Sequence, residues 1–72
     1  MFSQSRVQQV EWLREKAAKI ASSRGLDKEE DVPAAVAEWE KCQEVLPYWF
    51  KEYDRELLTE FVYEEFLQES EP

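Results

Sequence analysis

Apolar residues recur at helical spacing over most of this chain. Val10, Leu13, Ala17 and Ile20, continued by Arg24, alternate three and four residues apart, with Val7 and Ala21 beside them. That is one stripe of an amphipathic helix. Ser5 with Gln8 three residues on is a capping-box pattern, which satisfies two amides at a helix start. Gly25, the only glycine in the chain, fits the position just past the C-cap, where positive φ is needed, and Arg24 suits the last turn.

A charged connector, Leu26 to Pro33, follows. Asp27 and Glu30 suit one short helical turn, and Leu26 and Val32 are expected to pin the connector to the core. Asp31 ahead of Val32-Pro33 predicts a second helix start, since Pro is tolerated in the first turn. This helix is expected from about Pro33 to Leu46. Val32, Ala35, Val36, Trp39, Cys42 and Leu46 share one side, with Glu38, Lys41 and Glu44 towards the other. Pro47 ends or kinks it.

A third helical region is expected from about Tyr48 to Gln68, continuous or split by Asp54 as a new cap. Phe50, Tyr53, Leu57 and Phe61 form its first apolar row. Leu58, Val62 and Phe66 form a second, and Tyr63 and Leu67 part of a third. No strand alternation, hairpin signal, repeat or low-complexity tract is visible. The pattern predicts an all-α fold, a small three-helix antiparallel bundle. Residues 1–72 form one small domain, with 1–4 and 69–72 as frayed ends.

Composition narrows the chemistry. The chain has 72 residues, ten of them aromatic, no His and one Cys. Without His there is no His-based acid–base catalysis, no Ser-His or Cys-His pair and no Cys/His zinc site. A single glycine leaves no Gly-rich phosphate loop. Glu56, Glu60 and Glu64 lie one turn apart, but with no further ligands in view they read as a solvated face. The acidic segment 27–31 lacks the order of a calcium loop. Cys42 reads as a small buried hydrophobe. No cofactor, no metal and no catalytic residue are expected.

Net charge is −8, unevenly spread. Residues 1–24 carry five basic and two acidic side chains, a balance of +3; residues 25–72 carry four basic and fifteen acidic, a balance of −11. The basic first helix should therefore lie against the acidic third. The negative field disfavours direct nucleic-acid and anionic-lipid contact and favours a basic partner. The N-terminal residues lack the apolar core of a signal peptide, and Val45 to Phe50 falls far short of the roughly 20 residues of a membrane span. A soluble, cytoplasmic protein is the expectation.

Three features suggest unfinished surfaces. Trp12 has only polar neighbours at helical spacing, so it either packs under a loop or the tail or waits for a partner. Tyr48-Trp49-Phe50 cannot share one helix face, because successive residues point about 100° apart. The ridge Leu58, Val62 and Phe66, with Tyr63, exceeds what two short helices cover. The expected partner-binding residues are thus Trp12, Tyr48, Trp49, Leu58, Val62, Tyr63 and Phe66. The functional expectation is a non-enzymatic protein–protein interaction module, a small adaptor, regulator or assembly factor. Its aromatic and apolar anchors would be rimmed by acids, with another protein or a second copy of the chain as partner. The alternative is an acidic mimic of nucleic acid that inhibits a nucleic-acid-binding protein.

Overall fold

The computed structural model describes residues 5–23, 26, 28–43 and 45–70. Three helices form: α1 (Arg6–Ser23), α2 (Val32–Cys42) and α3 (Glu52–Ser70), with a 3-10 turn at Glu29–Asp31 ahead of α2. No strand occurs among the described residues. The expected caps at Arg24, Gly25 and Asp27, the end 1–4, and residues 71–72 of the expected frayed end 69–72 lie outside them, while residues 69 and 70 still belong to α3.

The start of α1 is the capping box read from the sequence. The Ser5 amide donates to Gln8 Oε1, and the Gln8 amide donates to Ser5 Oγ, both at 3.2 Å. Asp31 does precede α2, and Pro33 sits in its first turn, but the Asp31 side chain makes no cap hydrogen bond. The preceding 3-10 turn holds Asp31 in helical geometry, whereas a capping side chain needs a non-helical backbone to reach back.

The second helix is shorter than expected. It stops at Cys42, and Gln43 is extended. A helix running on to Leu46 would drive the Pro47 ring against the Gln43 carbonyl. The described residues that follow, 45–51, are non-helical and include a turn in which the Phe50 amide donates to the Pro47 carbonyl at 3.0 Å, while residue 44 lies outside the described residues. Cys42 is accordingly exposed rather than buried.

The third helix begins at Glu52, not Tyr48, and Asp54 lies inside its first turn rather than capping it from outside. Asp54 Oδ2 accepts from the Lys51 amide at 3.1 Å, which satisfies one amide at the helix start. The continuous Tyr48–Gln68 helix is therefore replaced by a turn followed by α3.

Charged pairs fix the directions. Arg6 meets Asp54, and Arg14 meets Glu64, in the same order along both helices, so α1 and α3 run parallel. Glu40 near the end of α2 meets Arg55 near the start of α3, so α2 runs against them. The result is an up-down-up bundle with the basic first helix on the acidic third, as charge asymmetry predicts.

The core lies where the three helices face one another. Leu13, Ala17 and Ile20 of α1 pack with Val32, Val36 and Trp39 of α2 and Leu58, Phe61 and Val62 of α3. Leu13, Ile20, Val32, Val36, Leu58 and Val62 are fully buried, and burying each such side chain is worth about 1.5–3 kcal/mol. Leu26 and Leu46 pack against this core from the connectors.

Candidate protein-binding surface

Two of the expected partner contacts are core. Leu58 and Val62 have no exposed surface. The ridge they form does not stay open, because α1 and α2 both lie against α3 and cover it. Phe66 and Tyr63 are half-buried, and Tyr63 borders a shallow cleft with Glu29 and Glu30. Leu58 and Val62 are therefore not open to a second copy of the chain.

Trp12 packs under a loop. Its ring lies 6.2 Å from Trp39, 5.4 Å from Trp49 and 6.3 Å from Phe50, each steeply tilted to it. Such edge-to-face pairs add about 0.5–1.5 kcal/mol beyond burial. Lys16 Nζ sits 5.1 Å from the Trp12 ring on the remaining side. All three tryptophans thus close one end of the bundle under the Pro47–Phe50 turn. Tyr48, at the tip of that turn, is 78% exposed.

The surface left open lies between α1 and α3, and the periodicity assigned it to the core. Val7, placed beside the apolar stripe of α1, is 68% exposed, and Tyr53, placed in the first apolar row of α3, is also 68% exposed. Val10 and Leu57 are half-buried next to them. Val10 lines a cleft with Val7, Arg6 and Glu11. Leu57 lines a second cleft with Tyr53, Glu56 and Glu60.

Arg6 joins the two clefts. Its Nη1 donates to Asp54 Oδ1 at 2.8 Å and to Gln9 Oε1 at 2.9 Å, and its guanidinium lies 5.8 Å from the Tyr53 ring centre. Further along, Arg14 covers the Phe61 ring at 4.2 Å and reaches Glu64 at 4.0 Å. The groove therefore runs between Arg6 and Arg14, with an apolar floor and acidic walls. The wall residues Glu11 and Glu60 form no ion pair among the described residues.

On the opposite flank Arg55 grips Glu40 with two hydrogen bonds, Nε to Oε1 at 2.6 Å and Nη2 to Oε2 at 3.1 Å. The hydrogen bond to Glu40, and then its charge, raise the Arg55 pKa above its ordinary value. This is a clamp between α2 and α3. Among the described residues no group of three or more His, Cys, Asp or Glu is arranged to hold a metal ion. None of the described helices is long and apolar enough to cross a membrane.

Compared with protein-family models, curated proteins and solved structures, the chain matches none.

Proposed function

We propose that this chain is a non-enzymatic interaction module, a small adaptor or regulator, that binds another protein through the α1–α3 groove. The observation that carries the reading is the exposure of Val7 and Tyr53 on adjoining helices, over half-buried Val10 and Leu57. Apolar side chains scattered singly over a surface are ordinary, but two clefts on adjoining helices, each lined by apolar and acidic residues and linked by Arg6, fit a binding face. Tyr53 adds the amphipathic aromatic body that binding hot spots favour. The Tyr48 tip and the Tyr63 cleft belong to this reading as secondary contacts on other faces.

The test is affinity capture on the full chain from its native host, followed by reconstitution with the purified candidate partner. Direct binding that survives about 0.5 M salt supports apolar docking, because salt screens exposed charges but spares apolar burial. Reconstitution that collapses with salt, is abolished by reversing Glu56 and Glu60 to Lys, and is untouched by Val7→Ser with Tyr53→Ser supports the nucleic-acid mimic instead.

A further inference from the structure

We infer that the occupant of the α1–α3 groove is a short cationic amphipathic helix presented by another protein. This deepens the proposed function and rests on it. Shape is the first argument. The groove lies between two parallel helices on the face that α2 leaves uncovered, and a groove between helices is filled by the side-chain ridge of another helix. It is bounded by Arg6 at one end and by the Arg14–Glu64 pair at the other. Eight residues of α1 separate these ends, or about 12 Å at 1.5 Å per residue, which suits an occupant of two to three turns.

Charge complementarity selects the occupant's chemistry. The floor is Val10 and Leu57, with exposed Val7 and Tyr53 as its apolar rims; Glu11 and Glu60 line the same clefts without an ion-pair partner among the described residues. The basic residues that border the groove are already committed, Arg6 to Asp54 and Arg14 to Glu64 and Phe61. An incoming helix with Leu-type residues along one stripe and Lys or Arg on its flanks satisfies floor and walls together. A second copy of this chain would bring its own acidic walls against these, and like charges so placed oppose association.

The test uses the isotopically labelled full chain and a defined probe. The probe is a 14-residue amidated peptide of Leu and Lys, with Leu at positions three and four apart. The control peptide has Glu in place of every Lys. The inference predicts that the Lys peptide shifts amide resonances in residues 7–14 and 53–60, while the Glu peptide shifts none. It predicts that Val7→Ser with Tyr53→Ser weakens the Lys peptide by about tenfold or more. Glu11→Gln with Glu60→Gln should weaken it by about threefold or more, mainly by slowing association. Both pairs are exposed, so a native circular-dichroism spectrum is expected in each variant.

Shifts centred on Tyr48 or Tyr63 would overturn the groove as the docking site while leaving the interaction-module reading in place. Unchanged affinity in the Val7→Ser, Tyr53→Ser variant would reduce the binding to charge alone and overturn the inference. Binding by neither peptide would overturn it too. Concentration-dependent shifts in the groove without peptide would replace the partner helix by a second copy. The interaction-module reading itself fails by a separate route, when no captured protein binds the purified chain directly.

Discussion

The guanidinium of Arg6 lies 2.8 Å from the carboxylate of Asp54, whose side chain is only 6% exposed. Asp54 is the one buried charged residue among those described. Its second oxygen accepts from the Lys51 amide. One side chain thus braces the start of α3, anchors it to α1 and fixes the two helices parallel. Arg6, 48% exposed, remains partly in water.

That asymmetry predicts unequal costs. Asp54→Ala should destabilise by about 1–3 kcal/mol, because it leaves the Lys51 amide without its acceptor and removes a charge-assisted bond. Arg6→Ala should cost more, because it leaves the buried Asp54 carboxylate without its charge partner and with one remaining hydrogen bond. Urea unfolding of both variants and the double variant measures the coupling.

Trp12→Ala should cost about 2–4 kcal/mol, below the full range for a buried Trp because the ring is only half-buried. It should also collapse the near-ultraviolet circular dichroism of the three-tryptophan cluster. Tyr48→Ala, at the exposed tip of the same turn, should change stability by no more than about 0.5 kcal/mol.

Leu58→Ala should cost about 2–5 kcal/mol, as expected for a fully buried Leu, and Tyr53→Ser no more than about 0.5 kcal/mol. The pair separates core from surface on one helix. Equal costs in thermal unfolding would contradict the assignment of Tyr53 to the open groove.

Cys42 should react with a thiol reagent in the native protein within a few-fold of its rate in the urea-unfolded chain, because it is exposed just where α2 ends. Protection by an order of magnitude or more would mean that α2 runs on and buries it.

Much of this was legible in the sequence because it is local. Ser5 and Gln8 announce α1, and the stripe through Leu13, Ala17 and Ile20 marks its buried face. Val32, Val36 and Trp39 do the same for α2, and Asp54 marked a helix start, though it acts from inside the first turn of α3 and not as its cap. Charge asymmetry alone placed α1 against α3. What periodicity missed depends on contacts distant in sequence. Trp12 lies off the main stripe, and only the returning Pro47–Phe50 turn shows why. Leu58 and Val62 looked surplus because a sequence does not show that two helices lie against α3 at once. Val7 and Tyr53 looked like core because spacing gives a helix face but not where the neighbouring helix ends.

Partner affinity of the Val7→Ser, Tyr53→Ser variant tests the central claim most directly. Calorimetry of the reconstituted complex should show binding weakened about tenfold or more, with the melting temperature within a few degrees of the parent. Affinity equal to the parent, at unchanged stability, would contradict a docking surface between α1 and α3.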